Sequence, residues 1–169
     1  MTDALLDATA LDRLSPAAAD ALLRPACASD DWVAAMVAAR PFGSLAAVVD
    51  RSDAVLAELG WPAVLAALAA HPRIGDRPAG AGLEASWSRQ EQAGAANAGA
   101  DVRTALHDGN VAYEQRFGHV FLIRATGRTA TEMLAALTER LGHDDATEQQ
   151  VVRRELAAVV RGRLEKTLR

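Results

Sequence analysis

Lysine is almost missing from this chain. Lys166, close to the C-terminus, is the only one in 169 positions. Chemistry that needs a lysine amine, such as a Schiff base or lysine-held pyridoxal phosphate, therefore has a single, badly placed candidate. Cysteine is equally scarce: Cys27 stands alone, which excludes a disulfide framework and a thiolate metal cluster. Aromatic residues make up only 4% of the chain while half of it is apolar, so alanine, leucine and valine must build the core. The longest apolar run, residues 63–70, falls far short of the roughly 20 residues that cross a bilayer. No basic-plus-apolar leader opens the sequence, so no membrane partner is expected and a cytoplasmic location is. Clustered positive charge is lacking too. A net charge of −4 speaks against a general nucleic-acid surface, although a few arginines can still dominate one pocket and hold an anionic small molecule.

What remains is a helical chain. Alanine and leucine carry high helix propensity, and over long windows the bias is decisive. Ser15-Pro16 is a helix start, a hydroxyl cap followed by proline at the first helical position, and predicts a helix over 17–24. Asp30 or Asp31 caps the next, to about Arg40 and stopped by Pro41. Ser44 and Ser52 open two short segments ending near Asp50 and Gly60. Trp61-Pro62 opens another, which His71-Pro72 ends, because a residue before proline is pushed out of the α region. Residues 73–85, rich in glycine and proline, read as one long loop of the kind that is usually functional. Ser86 or Ser88 then caps a helix reaching about Gly99, Asp101 opens one to Phe117-Gly118, Thr129 or Thr131 one to Gly142, and Thr147 the last, to Leu168. Residues 120–123 are the only β-like run and too short for a sheet. The expectation is an all-α fold, a single domain over 1–169 and a bundle of roughly eight helices around one long Gly/Pro-rich active-site loop.

Little of the chain looks chemical. His71, at the proline-marked helix stop, can exchange protons near neutral pH, although a histidine at a helix C-terminus is also favoured by the macrodipole alone. Ser88, Glu91 and Gln92 follow at helical spacing. Ser88-x-x-Glu91 is also a capping box, but Gln92 on the same face is something a box does not require. His107, His119 and His143 share no metal-ligand spacing with His71 or with each other, so no metal is expected. In the last helix Val152, Leu156, Val159 and Arg163 form one seam, which puts Arg163 among apolar side chains. Its charge needs a scaffold carboxylate, an anionic ligand or an escape to solvent.

Taken in order, His71-Pro72-Arg73-Ile74-Gly75, then Trp87-Ser88-x-x-Glu91-Gln92-Ala93-Gly94, then Asn110-x-x-Tyr113-x-x-Arg116-Phe117-Gly118-x-x-Phe121 resemble the OHCU decarboxylase family. Its substrate is 2-oxo-4-hydroxy-4-carboxy-5-ureidoimidazoline, an intermediate of urate breakdown. Arg40-Pro41-Phe42, Arg140-Leu141, Glu148 and Arg163-Leu164 extend the likeness over nearly the whole chain. Ala26-Cys27-Ala28-Ser29 departs from the family pattern, which leaves the role of that segment open. The resemblance implies a helical homodimer that forms (S)-allantoin without a cofactor. His71 would act as the general acid together with Glu91. Pro72, Ser88, Arg89, Gln90, Gln92, the segment Phe121, Leu122, Ile123, Arg124 and Ala125, and Arg163 would bind the substrate. Such a substrate can take the electrons left by CO2 into its own ring carbonyl and imine system, so the want of a usable lysine or metal motif is no obstacle. Two other readings stay open. One is a non-catalytic helical interaction module, with Ser88 and Glu91 as a cap and Arg163 in a salt bridge. The other is a hydrolase of a neighbouring ureide, which would need an activated water, most simply on a metal.

Overall fold

The computed structural model describes residues 7–76, 82–96 and 98–168. Among them are ten helices and no β-strand: α1 Ala8–Arg13, α2 Pro16–Leu23, α3 Asp30–Ala38, α4 Leu45–Glu58, α5 Trp61–Ala69, α6 Leu83–Glu91, α7 Ala93–Ala96, α8 Ala100–Phe117, α9 Ala130–Arg140 and α10 Asp145–Thr167. The all-α expectation holds. The count exceeds the expected eight partly because α1 and α7 are short, at 6 and 4 residues. The chain divides into two compact units, one from Met1–Ala67 with Ala157–Arg169, the other Leu68–Leu156.

In the first unit the hydroxyl caps set the helix starts. Ser15 accepts from the Ala18 N–H with Pro16 just inside the helix, and Ser44 accepts from the Ala47 N–H. The expected cap at Asp30 or Asp31 is instead Ser29, which accepts from the Trp32 N–H. The two aspartates fall in the first turn of α3, where the positive end of the helix dipole favours them. Ser52 opens no helix. It lies inside the 14-residue α4, buried, and accepts from the Trp32 indole N–H at 3.2 Å. A buried indole needs an acceptor, and that demand explains a serine where a cap was expected.

The second unit is built on α8 and α9. Leu106, Tyr113, Met133 and Leu137 from these helices pack with Phe121, Ile123, Ala125 and Ile74 in one apolar cluster. Close approach of the two helices depends on Gly109, where a Cβ would lie 2.5 Å from Leu137 Cδ2. Gly118, with φ +76°, ends α8 in the left-handed conformation. The chain then runs non-helical over residues 119–129 until Thr129 caps α9. There Thr129 and Glu132 form a true capping box, each side chain taking the other's backbone N–H at 3.2 and 2.7 Å.

The segment after His71 differs from its expectation. Residues 83–85, read as the end of a long loop, are the first turn of α6, which starts from Gly82 with no side-chain cap. Residues 77–81 of that expected loop lie outside the described residues. Gly94 in α7 has no room for a side chain, because a Cβ there would run into the Arg128 carbonyl oxygen. Gly94→Ala is expected to cost about 1–3 kcal/mol, the usual penalty of forcing atoms into packed space. A urea midpoint equal to that of the parent protein would show that the Arg128 turn moves aside freely.

Candidate active site

His71 sits just past α5, half-buried, with its backbone N–H donating to the Leu68 carbonyl at 2.9 Å. Pro72 follows and fixes the next φ. The Arg73 guanidinium then meets Glu114 of α8 through two hydrogen bonds, Nε to Oε1 at 2.6 Å and Nη2 to Oε2 at 2.7 Å. This paired geometry holds the Glu114 carboxyl below its ordinary range, chiefly through the hydrogen bond from Arg73. Ile74 is buried in the α8–α9 cluster. Its carbonyl accepts from Asn110 Nδ2 at 3.0 Å, and the N–H of Gly75, on the other side of the same peptide bond, donates to Gln92 Oε1 at 3.1 Å. Gly75 has φ +91°, a conformation that glycine alone adopts without strain. His71 faces a cleft of about 420 Å³ together with Arg73, Glu114, Gly118, His119 and Val120.

The Ser88, Glu91 and Gln92 set is on one helix, but not as a cap. Ser88 lies within α6, 5% exposed, and Gln92 is the residue that ends the helix. The capping-box alternative for Ser88 and Glu91 is therefore set aside: a box needs its serine before the first turn, and here the helix begins five residues earlier. Glu91 and Gln92 are half-buried, whereas Arg89 and Gln90 are exposed. Glu91 and Gln90 line a second cleft of about 630 Å³, whose far wall includes Arg128, Thr129 and Thr131.

The non-helical segment expected to border the substrate packs inward. Phe121, Leu122, Ile123 and Ala125 are buried and Arg124 is exposed. Two of its backbone groups are held by the scaffold. The Leu122 carbonyl accepts from Arg140 Nη1 at 2.7 Å, and the Arg124 N–H donates to Glu155 Oε2 at 2.7 Å. Arg140 also stacks over the Phe121 ring at 4.5 Å. Its guanidinium donates to Glu148 Oε1 through Nε at 2.9 Å and Nη2 at 2.6 Å. Glu148 further accepts from the Tyr113 hydroxyl and, on its other oxygen, from His143 Nδ1 at 2.8 Å. Tyr113 and Phe117, four residues apart, do stack, with centroids at 4.7 Å.

Arg163 belongs to the first unit. It is 2% exposed, and its Nη1 donates to the Pro25 carbonyl at 3.3 Å. The neighbouring segment, whose role the sequence leaves open, has structural work there. Ser29 caps α3 and Cys27 is buried, which pushes its thiol up to about 12. A thiol so placed is no nucleophile.

Comparison with known proteins fixes the lineage. Residues 12–165 match the family model described as OHCU decarboxylase. The chain belongs to the OHCU decarboxylase family. A crystal structure of OHCU decarboxylase in the presence of (S)-allantoin superposes with a TM-score of 0.76 at 26% identity, covering 87% of this chain and 96% of that one. The crystal structure of an (S)-allantoin synthase shares the fold, with a TM-score of 0.73 at 16% identity over 96% of this chain and 54% of that one. The "Uric acid degradation bifunctional protein TTL" of Arabidopsis thaliana is 31% identical over 144 residues, 83% of this chain. That match takes up 44% of the plant protein, so the chain spans less than half the length of this relative.

Sequence reasoning within the family missed two features. Asn110 and Glu114, one turn apart on α8, hold the His71 segment through Ile74 and Arg73, and Arg140, itself paired with Glu148, holds the Leu122 carbonyl. The spacing of Asn110 and Glu114 was visible, but nothing in it says which loop they would meet.

Proposed function

We propose that this chain decarboxylates 2-oxo-4-hydroxy-4-carboxy-5-ureidoimidazoline to (S)-allantoin, with His71 as the general acid and Glu91 as its partner in proton handling. The observation that carries the reading is the placement of His71. In a chain of this family, the one histidine at a proline-fixed helix exit lies half-buried on a cleft wall, and each of the next three residues after Pro72 is tied to another element. In the reaction the bond from the ring carbon to the carboxylate breaks and CO2 leaves. The electron pair enters the adjacent ring imine, the hydroxyl on the vacated carbon gives up its proton to become a carbonyl, and a proton is delivered from one face to the neighbouring ureido-bearing carbon. Ser88, Arg89, Gln90, Gln92, Pro72, the 121–125 segment and Arg163 hold the substrate in this scheme. Gln92 is already oriented by the scaffold: its Oε1 is taken by Gly75, which leaves its NH2 group to meet an acceptor such as a ureide carbonyl or a carboxylate. Arg163 brings the charge that an anionic substrate needs. Homodimeric assembly and a cytoplasmic location belong to the same proposal, and light scattering on the purified protein checks the first.

The decisive experiment generates the substrate in place from urate with urate oxidase and the next hydrolase, and follows circular dichroism with and without this protein. Fast growth of a single-handed allantoin signal is expected. A signal as slow and as lacking in handedness as the blank would leave the family fold without the family activity.

A further inference from the structure

Asn110 is an odd residue to bury. It is 1% exposed, and its Oδ1 has no hydrogen-bond partner among the described residues. Stranding a buried acceptor is destabilising, and an apolar side chain of similar shape would avoid that. What the amide supplies is a single bond, from Nδ2 to the carbonyl of Ile74. On the same face of α8, one turn on, Glu114 takes both forks of Arg73. Two residues of one rigid helix therefore hold adjacent residues of one short segment, and Gln92 completes the hold from α6 through Gly75. Helix α8 is itself seated tightly against α9 at Gly109, so the hold is rigid.

From His71 to Ile74 there are only two intervening residues, and one is Pro72 with its φ fixed. Upstream, the His71 N–H is held by Leu68. The backbone that carries the imidazole is thus held at both ends, and the downstream end depends on Asn110 and Glu114. Catalysis by a proton donor is sensitive to such placement: an error of about 1 Å can cost on the order of 10²-fold.

We propose that Asn110 and Glu114 are positioning residues for His71, acting through the Ile74 carbonyl and the Arg73 guanidinium. The inference rests on the decarboxylase reading. In this role Asn110 is buried away from the cleft, and Glu114, which shares the cleft wall with His71, acts through its grip on Arg73. The Arg73 charge, neutralised by Glu114, serves as an anchor of the segment and not as an anion ligand.

The test is a double-mutant cycle on the intact protein in the coupled dichroism assay. Asn110→Leu and Glu114→Ala are each expected to lower kcat by about 10–100-fold with little change in KM. In a His71→Gln background the same substitutions should change the residual rate by no more than about twofold, because a residue acting through His71 has nothing left to position. Arg73→Glu combined with Glu114→Arg should recover much of the kcat lost in Glu114→Ala. A losing effect that persists in the His71→Gln background would overturn the proposal, as would an unchanged kcat in Glu114→Ala. Glu114 is partly exposed, so that variant keeps the question answerable if Asn110→Leu does not fold. A parent protein no faster than the blank would overturn the decarboxylase reading itself, which these variants with an active parent would not.

Discussion

His71→Gln is expected to lower turnover by about 10²–10⁴-fold, the usual worth of a positioned general acid. Glutamine keeps the size and one hydrogen-bonding end of the imidazole but cannot carry the proton. The side chain is half-buried at a helix exit and outside the apolar core of its unit, so the folded protein should survive the change with its melting temperature nearly intact. Turnover within about threefold of the parent, well short of a general acid's contribution, would remove His71 from the acid role.

The handedness of the product separates His71 from Glu91. If His71 returns the final proton, the little allantoin formed by His71→Gln should be protonated by water from both faces and lose its dichroism. If the variant makes slow but fully (S)-handed product, the final proton comes from elsewhere, with Glu91 the first residue to replace. Glu91 ends α6 on the wall of a different cleft from the one that His71 faces, so Glu91→Gln tests whether its carboxylate takes part in the proton transfer at all.

The legible parts of this chain were those set by local chemistry. Ser15-Pro16, Thr129 (one of the two caps expected for α9), the proline after His71 and the glycine after Phe117 each act on their own neighbours, and each marks a helix end where it was expected. Local rules misled where a distant group made a claim on the same side chain. Ser52 looks like a cap and is an acceptor for an indole 20 residues away. Ser88-x-x-Glu91 has the letters of a capping box, yet the helix starts earlier at Gly82, while the genuine box is Thr129-x-x-Glu132. The candidate site shows the same division. The spacing of Ser88, Glu91 and Gln92 put them on one helix, but no spacing rule joins Gln92 to Gly75, or Asn110 to Ile74 36 residues before it. Such contacts depend on how α6 and α8 pack around the His71 segment, which is a tertiary matter. Arg163 is the intermediate case. Periodicity placed it correctly on the buried seam, and its contact with the Pro25 carbonyl had no local signal.

Removing Arg140 is expected to be the most damaging single change to stability in the second unit. Arg140→Met should cost about 3–5 kcal/mol, because it leaves the Glu148 carboxylate buried without its cation. Glu148 is 0% exposed. Burial is the largest influence on its carboxyl and would raise the pKa. The hydrogen bonds from Arg140 and Tyr113, the charge of Arg140 and the hydrogen bond from His143 together outweigh burial, and the net shift is downward. A carboxyl lowered in the folded state contributes stability that is present above its unfolded value and is lost as pH falls through the lowered folded one. The parent protein should therefore lose stability more steeply in acid than a variant without the network. Replacing both partners, Arg140→Met with Glu148→Leu, removes the stranded charge and should recover most of the loss, since apolar pairs often match buried ion pairs in stability. The double variant should also lack the Glu148 contribution to acid sensitivity, and urea midpoints measured across pH 3–7, a window that spans ordinary carboxylate titration, check both points. The network has a second duty. Arg140 holds the Leu122 carbonyl and covers Phe121, so the refolded double variant should keep its stability yet place the 121–125 segment less firmly. A double variant as stable and as active as the parent would show that the buried charges serve neither purpose. Restored stability with raised KM would assign them to holding the segment against which the substrate is bound.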